Sequence, residues 1–247
     1  MVSRSDTVAS SRLRRLARSA REEQVAPRGT GSAGEACELC GEPIAPDHRH
    51  LVDLSTRGLL CICRACTLLF DSRAAGGGHR RLVPDRRLRI DGFDLDEELW
   101  QRLGIPVDMA FFFRSSQAGR VVAFYPGPVG ATESLLDLGA WTELEAANPV
   151  LGALDDDVEA LLVNRAGGAR GNHWLVPIDD CYDLVGLMRS HWQGLSGGQE
   201  VWREIGEFFE RLAARARAVD RDGNRQRPNE PAVRPAGEGK EPAWGTT

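Results

Sequence analysis

The chain has 247 residues, a formal net charge of −5, 27% charged residues and 42% hydrophobic residues. This length allows one or two domains, and the acidic balance gives the whole protein no field that attracts nucleic acid. Lys240 is the single lysine, and Glu241 follows it. The sequence therefore lacks the lysine of a P-loop, which Ser or Thr follows, the buried lysine that binds pyridoxal phosphate and the lysine that binds phosphate in kinases. P-loop NTPases and pyridoxal enzymes are therefore excluded.

The two ends of the chain differ in composition from its centre. Residues 1–34 hold seven arginines against three acids and are rich in Ser, Ala and Gly, which predicts a disordered basic arm. Residues 218–247 are rich in Arg, Asp, Gly, Pro and Glu, which predicts a disordered tail. No apolar run reaches the length of a membrane span or a signal peptide, so a reducing cytoplasm is the expected compartment. Cysteines in that compartment point to metal before disulfides.

A small cysteine module is predicted over residues 35–75. Residues 49–54 and 58–62 are predicted to form a hairpin around a turn at 55–57. The apolar residues 68–70 fit a short helix or the edge of a core, and the glycine run at 76–78 predicts a break after the module.

Four cysteines in this module form two C-x2-C pairs, Cys37 with Cys40 and Cys63 with Cys66. Two residues between cysteines let a tight turn aim both sulfurs at one point, and a hairpin can bring the two turns together. A tetrahedron of thiolates suits zinc, with iron in a rubredoxin-like site as the alternative. Gly41 favours a knuckle turn after the first pair, because that turn needs a positive φ.

Three further metal-ligating side chains lie between or beside the pairs. His48 and His50 share one strand face, with Val52 on the same face, and Cys61 lies two residues before the second pair. We expect these three side chains to pack in the hairpin. The alternative is that they contact the cysteine ligands without binding the metal, or that one of them replaces a cysteine as a ligand. Cys181 belongs to the apolar stripe of a later helix and is expected in the core.

The remainder, residues 76–217, is predicted to be an α+β domain with an antiparallel sheet packed against helices. In chain order, the pattern predicts a helix at 97–103, strands at 107–113 and 121–125, a helix at 140–147, and strands at 158–163 and 173–178. Residues 125–134 are predicted to be a stiff Pro/Gly loop. Two apolar stripes, over 181–192 and 201–212, then predict two helices that pack on one face of the sheet. No set of residues identifies a reaction, and a non-catalytic protein is expected.

A set of short strings resembles an uncharacterised actinobacterial family encoded in gene clusters of [NiFe] hydrogenases. The strings are CELC at 37–40, CRAC at 63–66, FFF at 111–113, AFYP at 123–126, GATES at 130–134 and LVPID at 175–179. Their order along the chain carries the resemblance, which covers about residues 35–215. It implies a cytoplasmic accessory protein whose partners are hydrogenase subunits or maturation factors, and it implies no catalytic residues.

Three functions are compatible with these features. The first is a non-catalytic accessory protein with a structural zinc in a zinc-ribbon-like module. The second is a rubredoxin-like protein that passes electrons to or from a hydrogenase through iron. The third is a zinc-ribbon protein that binds nucleic acid. The net negative charge of the chain argues against this function.

Overall fold

A computed structural model of the protein describes residues 35–166, 172–194 and 197–225. The predicted basic arm, residues 1–34, lies outside the described residues, as does most of the predicted tail. The described chain is a mixed α+β fold with a four-cysteine cluster and sheets that are mainly antiparallel, as the sequence predicts. No helix among these residues is both long enough and apolar enough to cross a membrane.

The cysteine module contains a three-stranded sheet with the order β2-β1-β3. Its elements are β1 (Arg49–Asp53), β2 (Gly58–Ile62), α1 (Arg64–Phe70), a 3-10 turn (Arg73–Gly76) and β3 (Arg80–Leu82). The predicted hairpin is confirmed, with β1 and β2 antiparallel. β3 pairs with the other edge of β1 and leads the chain toward the larger sheet.

The larger sheet has seven strands in the order β10-β4-β9-β8-β5-β6-β7. They are β4 (Leu88–Asp91), β5 (Met109–Ser115), β6 (Arg120–Gly127), β7 (Gly130–Ser134), β8 (Glu159–Asn164), β9 (Asn172–Pro177) and β10 (Arg217–Asp220). Every neighbouring pair is antiparallel except β10 with β4, which is parallel.

Helices cover both faces of this sheet. They are α2 (Glu97–Arg102), α3 (Leu138–Ala147), α4 (Ile178–His191) and α5 (Gly198–Arg215), with a 3-10 turn at Pro149–Ala153. Side chains alternate between the faces of a strand, so Phe112 of β5 packs in a core with α2 and α3, whereas Phe111 and Phe113 pack in a second core with α4 and α5. Each buried ring stabilises the fold by roughly 1.5–3 kcal/mol.

Two segments differ from the expectations drawn from composition. The described chain continues past residue 217, because β10 adds to the edge of the sheet and buries Val219, which is 3% exposed. Residues 218–225 are thus part of the described domain. The predicted loop at 125–134 is a tight hairpin of β6 and β7, because Gly127 and Gly130 pair directly and leave Pro128 and Val129 as the turn.

His173 is a buried titratable group on β9. It is 5% exposed, and its ring stacks on Phe93 with the centroids 4.3 Å apart. Burial, assisted by the charge of Arg165, lowers the pKa of His173 from 6.5 to about 4. The unfolded chain therefore binds a proton more readily than the folded chain at pH values between these two, and stability falls as the pH falls through that window.

Replacement of His173 by glutamine is expected to reduce this acid sensitivity. Between pH 6.5 and pH 4 the wild type should lose up to about 3 kcal/mol more of its free energy of unfolding than the variant loses. Urea unfolding of both proteins across this pH range measures the difference. Identical pH dependence of the two proteins would contradict the assignment.

Candidate metal centre

The first cysteine pair lies in a tight turn that begins the described chain. The backbone N–H of Cys37 donates to the carbonyl oxygen of Glu42 over 2.8 Å, and that of Gly41 donates to the carbonyl oxygen of Cys37 over 2.8 Å. Gly41 has a φ of +78°, in the left-handed region that side-chain-bearing residues rarely adopt. The knuckle predicted from the sequence therefore forms, and glycine is needed where the chain turns back.

The second pair lies where β2 passes into α1. Cys63 is the N-cap residue of α1, and its Sγ accepts a hydrogen bond from the backbone N–H of Cys66 over 3.5 Å. The carbonyl oxygen of Cys63 accepts from both the backbone N–H and the hydroxyl of Thr67. The two halves of the site thus differ: the first is a glycine turn and the second is the start of a helix.

The hairpin brings all four sulfurs together. Cys37 Sγ lies 3.8 Å from Cys66 Sγ, Cys40 Sγ lies 3.6 Å from Cys63 Sγ, and all four Sγ atoms lie within 4.8 Å of one another. Four sulfurs at the usual zinc–sulfur distance from one ion would be separated by about 3.8 Å along each edge of the tetrahedron. The four cysteines are therefore close enough together to hold a metal ion.

The electrostatics of the cluster favour uneven protonation of its thiols. Burial raises the pKa of Cys37, but backbone hydrogen bonds from Cys63, Cys40 and Leu39 outweigh it and lower that pKa to about 6. Burial and the three neighbouring thiols raise the pKa of Cys66 to about 12. A cation at the centre would favour the thiolate form of every member, because metal ions bind the deprotonated sulfur.

A small apolar core supports the cysteines. Leu51 of β1 and Ile62 of β2 are fully buried and pack with Cys37, Cys63 and Cys66. Cys40 is the exposed member of the four. Three of the four thiols are thus held away from solvent by this small core.

The two histidines and the extra cysteine of the module form a group of their own. The ligand atoms of His48, His50 and Cys61 lie within 4.8 Å of one another, on the hairpin face opposite to the four-cysteine core. His50 Nδ1 lies 2.9 Å from Oδ2 of Asp179, a residue that the sequence marks only as the beginning of a helix. No local signal connects these two residues, because 129 positions separate them.

The helix α4 that carries Asp179 is held by a buried ion pair that sequence reasoning also missed. Arg87 makes two hydrogen bonds to Asp180, from Nε at 2.6 Å and from a terminal nitrogen at 2.8 Å, and a third to Asp85. Both partners of the Arg87–Asp180 pair have side chains that are 9% exposed. Burial raises the pKa of Asp180, and Arg87 opposes that shift.

Cys181 lies in the core, as the sequence predicts. It is fully buried in α4 among the apolar residues of the second core, and burial raises the pKa of its thiol. The described residues place it in neither group of metal-ligating side chains.

Comparison with curated proteins and with solved structures finds no match. A family model matches residues 36–216, a range that includes all four cysteines of the candidate site and most of the chain. The protein belongs to this family, described as a family of unknown function (DUF5947).

Proposed function

We propose that this protein is a non-catalytic, metal-binding accessory protein of the cytoplasm, in which Cys37, Cys40, Cys63 and Cys66 hold one structural zinc ion. The observation that carries the proposal is the convergence of four sulfur atoms within 4.8 Å. A closed set of four thiolates leaves no coordination position for a substrate, which is typical of structural rather than catalytic zinc.

The geometry of the two pairs favours zinc over iron. Gly41 follows the first pair, but the second pair begins α1 and is followed by Thr67. The site thus lacks the two equivalent glycine turns of a rubredoxin-like centre. Zinc binding would also supply folding free energy to a module with a small core, on the order of 10–16 kcal/mol for structural zinc in isolated modules.

We further propose that the zinc-supported module contacts a protein partner through α1. Leu68 and Leu69 are 71% and 67% exposed, although apolar side chains of this size are usually buried. The resemblance of the sequence strings to a family encoded beside [NiFe] hydrogenases makes a hydrogenase subunit or maturation factor the proposed partner.

Elemental analysis and an absorption spectrum test the metal assignment. Protein purified without added metal is expected to contain zinc and to be colourless. A coloured protein with a spectrum that changes reversibly on reduction would instead support the iron alternative. Purified, folded protein without any bound metal would refute the metal-binding function.

Affinity purification from a host that expresses a [NiFe] hydrogenase tests the partner. Wild-type protein is expected to retain a hydrogenase subunit or maturation factor, and a Leu68→Ser, Leu69→Ser variant is expected to lose it. Val129→Ser is the matched control, because Val129 is also an exposed apolar residue but lies in the β6–β7 turn. If the wild-type protein retains no hydrogenase component, the proposed partner is refuted.

A further inference from the structure

The β1–β2 hairpin carries a second group of metal-ligating side chains. His50 is paired with Cys61 across the hairpin, and His48 lies two residues before His50. Because side chains alternate along a strand and paired residues share a face, His50 and Cys61 project from the same face. His48 directly precedes β1, which begins at Arg49. The rings of His48 and His50 have centroids 4.9 Å apart, and the ligand atoms of all three residues lie within 4.8 Å of one another. Two imidazoles and one thiol therefore surround a single point.

Hydrogen bonds at Nδ1 fix the orientation of both imidazole rings. Nδ1 of His48 lies 2.9 Å from the carbonyl oxygen of Ala45, and Nδ1 of His50 lies 2.9 Å from Oδ2 of Asp179. Carbonyl and carboxylate oxygens accept hydrogen bonds, so each neutral ring carries its proton on Nδ1 and its lone pair on Nε2. Metal-ligating histidines are held in this way, with the other ring nitrogen donating to a carbonyl or carboxylate oxygen.

This group is distinct from the four cysteines. The four-thiolate set already supplies the four ligands of a closed zinc site, so that site does not need Cys61 as a ligand. The two groups are joined through Glu38, which lies between the cysteines of the first pair. The Glu38 carboxylate accepts from the backbone N–H of Cys61 at 2.6 Å, and the backbone N–H of Glu38 donates to the carbonyl oxygen of Cys61 at 2.9 Å.

We propose that His48, His50 and Cys61 form a second metal site that takes a divalent ion of the zinc type. Two imidazole nitrogens and one thiolate are ligands of intermediate softness, which suits zinc rather than magnesium or calcium. Three protein ligands leave one position of a tetrahedral ion open, as in zinc sites that exchange a bound water. Asp179 lies in the first turn of α4 and bonds to His50, so an ion here would link the cysteine module to the larger domain.

Metal titration of the full-length, reduced protein tests this site. We expect the wild type to bind two zinc ions per chain and a His48→Ala, His50→Ala variant to bind one. His79→Ala is the matched control, because His79 is an exposed histidine of the same module and should leave two ions bound. Wild-type protein that binds a single ion, or a double variant that still binds two, would overturn the proposal.

The Asp179→Asn variant provides a second readout that does not remove a ligand. Loss of a carboxylate that orients a metal-bound histidine weakens metal affinity by about 10–100-fold. Asp179→Asn should therefore weaken binding of the second ion by that factor and leave the first unchanged. Cobalt(II) used as a coloured probe should report the same loss in the spectrum of the weaker site. Unchanged affinity for both ions in Asp179→Asn would contradict the role given to the carboxylate.

Discussion

Replacement of Cys40 by serine is expected to release the metal ion from the four-cysteine site and to unfold the cysteine module. Cys40 is exposed, so exchanging its sulfur for an oxygen removes almost no packing. Any large effect must then come from the loss of a thiolate ligand, and structural zinc supplies folding free energy on the order of 10–16 kcal/mol in isolated modules. Metal content and amide hydrogen exchange of residues 35–70 measure the two consequences.

The control for this experiment is Cys181→Ala. Cys181 is a cysteine in neither candidate metal group, and truncating its buried side chain should lower the free energy of unfolding by about 1 kcal/mol without changing the metal content. The larger sheet should remain more protected from exchange than the module in both variants, because its two cores include none of the four cysteines, although Val52 of β1 packs in the second core. A Cys40→Ser protein that lacks metal but keeps a fully protected module would contradict a structural role for the ion.

The second large effect is expected at the ion pair between Arg87 and Asp180. Arg87→Met should lower the free energy of unfolding by about 3–5 kcal/mol, because it leaves a buried carboxylate without its partner. The geometry is two-pronged, with both Asp180 oxygens bonded, and the pair joins the approach to β4 with the first turn of α4. Urea unfolding at pH 7 measures the change.

The pH dependence of the Arg87→Met variant shows whether the unpaired Asp180 carboxylate causes its loss of stability. Burial already raises the pKa of Asp180, and removal of Arg87 removes the charge that opposes this shift. The folded variant then holds a proton at Asp180 more tightly than the unfolded chain does, so its stability falls as the pH rises through that raised pKa. The deficit relative to wild type should therefore be small near pH 4 and largest at neutral pH.

An exposed ion pair provides the comparison. Arg102 and Glu143 lie 2.7 Å apart, but their side chains are about half exposed, and such pairs contribute at most about 1 kcal/mol. Arg102→Met should therefore change stability far less than Arg87→Met. If the two substitutions lower the free energy of unfolding equally, burial is not the reason for the stabilising effect of the Arg87–Asp180 pair.

The four-cysteine cluster was predictable because its signal is local. Each C-x2-C pair is set by residues three positions apart, and the two apolar segments that flank residues 55–57 predict the hairpin that brings the pairs together. The apolar stripes of α4 and α5 likewise predict helices that share one core with the sheet, and both do lie in that core. In each case, the residues that determine the structure are neighbours in sequence or across one hairpin.

Short elements with little apolar content were harder to predict. β10 has only four residues in a segment whose composition favours disorder, yet parallel pairing with β4 gives one side of its backbone hydrogen-bond partners and buries Val219. β7 lies in a stretch of Gly, Ala, Thr, Glu and Ser that has no strong strand pattern, and it is defined by its pairing with β6. Backbone pairing with a neighbouring strand of the sheet outweighs the weak preference of the segment itself.

Spacing and periodicity alone therefore determined the four-cysteine set, the hairpin and the α+β class, because these depend on side chains a few positions apart. The tertiary structure decided the rest, because it brought the first turn of α4 next to the hairpin and next to the residue that precedes β4. It joined His50 to Asp179 across 129 positions and Arg87 to Asp180 across 93. A lone histidine or arginine in the sequence is compatible with many partners, and its carboxylate is selected only when the core has brought the two elements together.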